Sequence, residues 1–254
     1  MTTATTMPRA RLAHGQSSPP RKAMTGVLTA LIENVVSGAW PQGSLLPAEE
    51  ILLERFGVSR PTLRESLQHM VAAGLVRSRP RAGTVVQPQA QWNLLDPVVL
   101  EAALRHISDR RFYDNLIDAR RLIEPEAAAI AARDGSPRAL ATIAAAFADM
   151  VESEGRDTES WSVADLDFHT AIIEASENWV FRQFIVAIRA ALMASFRMTN
   201  RASQSHESAI AMHRAVLDAI QRRAPEEARQ AMVALIGLAR ADMDRSVKKL
   251  PPKS

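Results

Sequence analysis

The sequence predicts a mostly α protein in two parts: a small N-terminal unit of three helices closed by a β-hairpin, and a larger all-α bundle of six to seven helices. Three observations carry this expectation. Apolar residues recur at helical spacing over most of the 254 residues. One segment, LVRSRPRAGTVVQP, is short, β-branched and punctuated enough to form two strands instead. The charge also divides: residues 1–90 hold ten Lys/Arg against five Asp/Glu, and residues 91–254 hold twenty-one against twenty-three.

The composition bounds the class. Apolar residues make up 47% and charged residues 23%, the balance of a globular chain rather than a disordered one. There is no cysteine, which excludes disulfides and thiolate metal sites and fits a reducing cytoplasm. The first twenty residues are rich in Thr, Ser, Pro and Arg with no apolar core, so no signal peptide is expected. No apolar run reaches the roughly 18–20 residues of a membrane span. A soluble cytoplasmic protein without a membrane partner is expected.

Residues 1–20 read as a disordered tail. From Lys22 the positions Val27, Leu28, Leu31, Ile32, Val35 and Val36 form a helical stripe that stops at Ser37-Gly38. WPQGSLLP reads as a turn, with Pro47 opening a second helix that carries Ile51, Leu52 and Phe56 inward and ends at Gly57. Ser59 can cap a third helix to about Ala73, buried along Leu63, Leu67 and Met70 and closed by Gly74. Three helices followed by a hairpin describe a winged helix-turn-helix over residues 21–88. Residues 89–96 read as a linker and 97–250 as the helical domain. Its segments fall near 97–107, 109–133, 137–154, 159–176, 179–202, 206–223 and 225–248, and Pro125 bends or restarts the second.

The third helix carries the first functional signal. Arg60 and Arg64 lie four apart and share a face opposite the apolar stripe. In a helix-turn-helix the first turn of the second helix enters the major groove, where forked arginine donors match guanine O6 and N7. Ser59 and Thr62 supply short hydroxyls for phosphates. Arg77, Arg79 and Arg81 on the hairpin reach toward backbone or minor groove. Two arginines on one helix are also an ordinary solvated face; it is the ordered run of turn, cap, glycine and basic hairpin that points to DNA.

The stretch PQGSLLPAEEILLERFGVSRPTLRESLQHMVAAGLV (41–76), preceded by Gly38 and followed by RAGTVV (81–86), resembles the DNA-binding half of GntR-family transcription regulators. The resemblance implies that Arg60, Thr62 and Arg64 contact operator DNA, with the wing near Arg81 and Gly83 helping. Glu50 departs from the family, which often has an arginine there that touches DNA. The wing also carries proline and arginine where a Gln-Gly pair is common.

DARRLIEPEAAAIAAR (118–133), DLDFHTAIIEASEN (165–178) and MHRAVLDAIQRRAPEEARQAM (212–232) resemble the FCD effector domain of the FadR subfamily. QWNLLDPVVL (91–100) further resembles the sugar-acid branch, such as galactonate-responsive repressors. On spacing alone, Asp165 and His169 share one helix face and His213 lies on another helix. Such a set suits Zn, Ni or Mn, and equally an exposed pair or a satisfied core histidine. The resemblance implies that the three are metal ligands. It also implies a further histidine twenty-two residues beyond His213, where this chain has Leu235, which leaves the divalent metal uncertain. Arg120 stands where relatives face the effector cavity; it suits a carboxylate clamp, or a salt bridge to Glu124 four residues on. Asp118, Asn200 and Arg240 are further candidates for that pocket.

The reading is a homodimeric, ligand-responsive DNA-binding regulator, a repressor of a carbon-catabolism operon, with a small carboxylate such as a sugar acid as effector. A DNA-binding dimer without effector is one alternative. A metal-dependent enzyme is the other, and the absence of a nucleophile motif or a Gly-rich phosphate loop argues against it.

Overall fold

The computed structural model describes residues 21–79, 83–107, 109–154, 156–199 and 207–248. Three helices come first, α1 (Arg21–Val36), α2 (Glu49–Phe56) and α3 (Arg60–Ala72), then an antiparallel pair, β1 (Val76–Arg79) and β2 (Gly83–Val86), in the register Val76↔Val86 to Arg79↔Gly83. Eight helices follow: α4 (Pro97–His106), α5 (Arg110–Asp134), α6 (Pro137–Ser153), α7 (Thr158–Ala175), α8 (Trp179–Gln183), α9 (Ile185–Thr199), α10 (Glu207–Gln221) and α11 (Pro225–Lys248). The chain is mostly α with a winged helix-turn-helix at its N-terminal end.

Local chemistry accounts for the boundaries. Ser59 caps α3, its hydroxyl accepting from the Thr62 amide, and Pro61 occupies the first turn where no amide proton is needed. Gly57 ends α2 at φ +62°, a left-handed conformation that costs glycine nothing. Asp96, Asp109, Ser136, Asp157 and Asn178 cap α4 to α8 in the same way. At the other end of α5, Arg223 donates to the carbonyls of Gly135 at 2.7 Å and Ala132 at 3.3 Å, satisfying a terminal acceptor from across the bundle.

Several elements differ from expectation. Pro47 precedes α2, which begins at Glu49 with Ala48 as its cap. The expected turn at 41–47 continues as a third edge on the wing: Gly43 donates to Val86, Val86 to Ser44 and Leu46 to Thr84, and Leu45 bridges Val85. α5 runs on through Pro125 as a single helix of 25 residues. The expected helix 179–202 divides at Phe184 into α8 and α9.

Residues 89–96 are packed in place. After a 3-10 turn at Gln89–Gln91, Trp92 is buried and its ring nitrogen donates to the Gln87 carbonyl at 3.0 Å. The Asn93 amide donates to Ala73 at 2.9 Å, and His69 of α3 lies 2.7 Å from Asp96, whose other oxygen caps α4. α4 itself shares a core with α1, α3 and the wing through Val99, Leu100, Ala102 and Ala103, and with Ala187 and Ala190 of α9. Apolar packing is therefore continuous from the recognition helix to the bundle. The second core fills the bundle between α5, α6, α7, α9, α10 and α11. No described helix is long and apolar enough to cross a membrane.

Gly74, at φ +70°, is where residues 89–96 cross the end of α3 as a strap; a Cβ there would lie 2.1 Å from the Gln91 carbonyl oxygen. Gly74→Ala combines a left-handed backbone with a backbone clash, so we expect it to lower stability by more than about 2 kcal/mol in urea unfolding. A loss below about 1 kcal/mol would contradict this placement of the strap.

Candidate effector site and DNA-facing surface

The helical period places five ionisable side chains together inside the bundle. Arg120 and Glu124 are one turn apart on α5, Asp165 and His169 one turn apart on α7, and His213 projects from α10. All five are at most 4% exposed. Charges so far from water persist only when neutralised, and the contacts show how. Arg120 Nε donates to Glu124 Oε1 at 2.6 Å, and the other Glu124 oxygen lies 2.5 Å from His169 Nδ1. His213 Nδ1 donates to the Ala209 carbonyl at 2.7 Å, which turns Nε2 toward Asp165 Oδ1, also 2.7 Å away. His169 Nε2 stands 3.9 Å from the same Asp165 oxygen and 3.5 Å from Arg120 Nη2. The Phe168 ring meets both imidazoles edge-on.

Proximity does not complete these contacts. Arg120 Nη1, His169 Nδ1 and His213 Nε2 are buried without an aligned hydrogen-bond partner, close as the carboxylates lie to both histidines. Buried polar atoms are nearly always hydrogen-bonded in folded proteins, so three such nitrogens in one cluster call for an explanation. Asp165, His169 and His213 offer ligand atoms all within 4.8 Å of one another, and with Nδ1 of His213 engaged by Ala209, its Nε2 lone pair is free to face a cation. The donor set of two imidazoles and a carboxylate fits a divalent first-row ion.

Burial alone would raise the pKa of Glu124, but Arg120 and His169 outweigh it and hold the group down at about 2. Asp165 is likewise pushed up by burial and held at about 2 by His213, His169 and Arg120. Depressed values in the folded state mean stability that is complete above the ordinary values of 4.5 and 3.8 and lost as the pH falls toward 2. Glu124→Ala leaves the Arg120 guanidinium buried and unpaired. We expect a loss of about 3–5 kcal/mol at neutral pH and a shallower acid dependence in urea unfolding below pH 4.5. Unchanged stability would mean that the guanidinium does not depend on this partner.

Two of the expected pocket residues lie elsewhere. Asp118 is exposed and pairs with Arg240 at 3.5 Å, in a surface network where Arg240 also meets Asp114 at 3.2 Å and Arg110 joins Asp114 and Asp244. Two residues separate Asp118 from Arg120, about 200° around the helix, so the two cannot face the same cavity. Asn200 lies outside the described residues. Arg120 makes the expected salt bridge to Glu124 and still has one nitrogen, Nη1, without a hydrogen-bond partner. Glu124 touching His169 is the contact that sequence reasoning missed; its only signal was the Arg-to-Glu spacing on an otherwise apolar stripe. Leu235 is buried in the bundle core and supplies only carbon.

On the N-terminal unit, Arg60 and Arg64 project from the first turns of α3 with more than half of each side chain exposed. Thr62 differs from expectation: it is buried, and its hydroxyl sits 2.9 Å from Ser59 Oγ, so it helps form the helix start rather than face phosphate, while Ser59, which caps the helix, stays exposed. Thr62 falls one step from Leu63 on the inward side, which is why its face turns to the core. Arg79 is exposed on the wing opposite Gly83, whose φ of +90° lets the hairpin close beside Leu45. Arg81 lies outside the described residues.

Residues 24–86 match the family described as "Bacterial regulatory proteins, gntR family", and residues 115–238 match the FCD domain. The galactonate operon transcriptional repressor of Escherichia coli (strain K12) is 31% identical over 211 residues, covering 83% of this chain and 92% of that protein. The chain belongs to the GntR family. Among other members, the HTH-type transcriptional regulator Mce2R of Mycobacterium tuberculosis (strain CDC 1551 / Oshkosh) is 30% identical over 229 residues, 85% of this chain and 90% of its own. The structure described as "Lar controls the expression of the Listeria monocytogenes agr system and mediates virulence" covers 90% of this chain and 99% of its own, with TM-score 0.65 at 21% identity, a likeness of fold. This GntR-family chain is a DNA-binding transcriptional regulator with an FCD effector-binding domain, not an enzyme.

Proposed function

We propose that this GntR-family regulator is a cytoplasmic homodimer that represses a carbon-catabolism operon until a small carboxylate, foremost a sugar acid, enters the bundle beside Arg120. The observation that carries this reading is the unpartnered Nη1 of Arg120, buried next to three clustered ligand side chains. A guanidinium nitrogen with no partner inside a protein is a site for an anion. The relative named as a galactonate operon repressor supports a sugar acid as that anion.

Asp165, His169 and His213 would hold the divalent ion, and Glu124 would fix the orientation of His169 from behind. When bound, the ion would supply a Lewis-acidic point for one ligand oxygen. Charge supports the pairing of cation and carboxylate. With both histidines neutral, Arg120 opposes Glu124 and Asp165, an excess of one negative charge; a divalent cation reverses it and one carboxylate returns it to zero. Arg120 would grip the carboxylate through Nη1 while Nε stays on Glu124. At the other end of each protomer, Arg60, Arg64 and Arg79 would face the DNA, with Gly83 shaping the wing, and two copies would read a palindromic operator. Release of DNA requires that the ligand prefer one arrangement of the two readers; equal affinity for both would shift nothing.

The test is a thermal-shift screen of the metal-supplemented protein against sugar acids, galactonate included. A carboxylate at a hundred times its dissociation constant should stabilise the wild type by about 2.7 kcal/mol and weaken operator binding. Arg120→Lys, which keeps a cation beside Glu124 but removes the Nη1 donor, should lose most of the stabilisation while still binding operator. A normal response in that variant, or no stabilisation of the wild type by any sugar acid, would overturn the proposal.

A further inference from the structure

We propose that Glu49 determines operator specificity, sharing one carboxylate oxygen between Arg60 and Arg64 so that their remaining N–H edges are held ready for bases, with Glu50 making the same face unfavourable to phosphate. The inference rests on the reading of Arg60 and Arg64 as DNA-facing.

Glu49 Oε1 accepts from Arg60 Nη1 at 2.9 Å and lies 3.8 Å from Arg64 Nε, so a single oxygen on α2 hydrogen-bonds one arginine of α3 and draws the other by charge. Glu50 Oε1 lies 3.7 Å from the same Arg60 nitrogen. The contacts select which donors stay free. Arg60 keeps Nε and Nη2, and Arg64 keeps both terminal nitrogens, the fork that matches guanine O6 and N7. An arginine already held in place loses less side-chain freedom when it docks, and this favours the sequence that presents acceptors at the held position.

The carboxylates also act against the wrong partner. Binding to DNA of arbitrary sequence is almost all phosphate neutralisation by Lys and Arg. Two acids within 4 Å of Arg60 satisfy its charge and repel a phosphate oxygen approaching the same edge. Glu50 is largely solvent-exposed and its side chain contributes little to the core, so this surface is free to serve binding. Neither effect is large for an exposed pair, and that suits a group that must tune recognition without blocking it.

The test uses the full-length protein and two duplexes: the sequence most enriched by wild type from a random pool, and a shuffled duplex of equal composition. Glu49→Gln keeps size and polarity but removes the charge. It should weaken binding to the enriched sequence and tighten binding to the shuffled one, so that the affinity ratio falls about three- to ten-fold. Glu50→Gln should tighten binding to the shuffled duplex alone. In the Arg60→Ala, Arg64→Ala background, Glu49→Gln should leave the ratio unchanged. Equal changes on both duplexes, no change, or an undiminished effect in that background would each overturn the proposal. If Arg60→Ala and Arg64→Ala themselves leave the enriched-sequence affinity intact, or if wild type enriches no sequence, the DNA-facing reading fails and the inference falls with it.

Discussion

Five ionisable groups withdrawn from water in the middle of a helical bundle set the terms for this structure. Arg120, Glu124, Asp165, His169 and His213 are almost fully buried, and the charged members are tolerated there because they lie against one another. The arrangement draws on three helices at once: α5 contributes a guanidinium and a carboxylate one turn apart, α7 a carboxylate and an imidazole, and α10 an imidazole anchored to its own backbone through Ala209. The surrounding core includes Ala127, Ala128, Ala131, Phe168, Ile172 and Val216, an apolar setting in which charges interact more strongly than in water. Such a cluster is costly as pure scaffold, because an apolar core of equal volume would be at least as stable. Its presence accords with a role in binding.

The route from that cluster to the DNA-facing helix is built of packed contacts rather than a slack tether. α9 touches α5 and α7 on one side and α4 on the other. α4 lies in the core of the N-terminal unit and is tied to α1 by Arg105 and Glu33 at 2.9 Å. Its cap, Asp96, also holds His69 in the last turns of α3. A displacement of α9 therefore cannot leave the recognition helix untouched unless these contacts open. That continuity is a physical connection; coupling further requires that the ligand distinguish two positions of it.

Much of this was legible in the sequence wherever the cause was local. Ser59 before Arg60-Pro61, Asp96 before Pro97 and Ser136 before Pro137 announce helix starts because cap and first turn are contiguous. Asp165 and His169 could be placed on one face by period alone. What stayed illegible depended on distant partners. Nothing near Leu45 indicates that Val85 lies beside it, and nothing near Gln91 foretells Gly74 at close approach. Thr62 looked like a phosphate donor until packing turned it inward, and Arg240 found its acids on α5, more than a hundred residues away. Glu124 was visible as a partner for Arg120, but its contact with His169 needed the crossing of α5 and α7.

The central claim is that the buried cluster is a binding site and not a structural ion network. X-ray absorption at the zinc edge, on protein loaded with one equivalent of Zn²⁺ and desalted, tests it most directly. Zinc should be retained with scattering from two imidazoles and a carboxylate oxygen, be lost from His213→Ala, and change its shell when a sugar acid is added. Zinc that washes away, or a shell without imidazole, would contradict it.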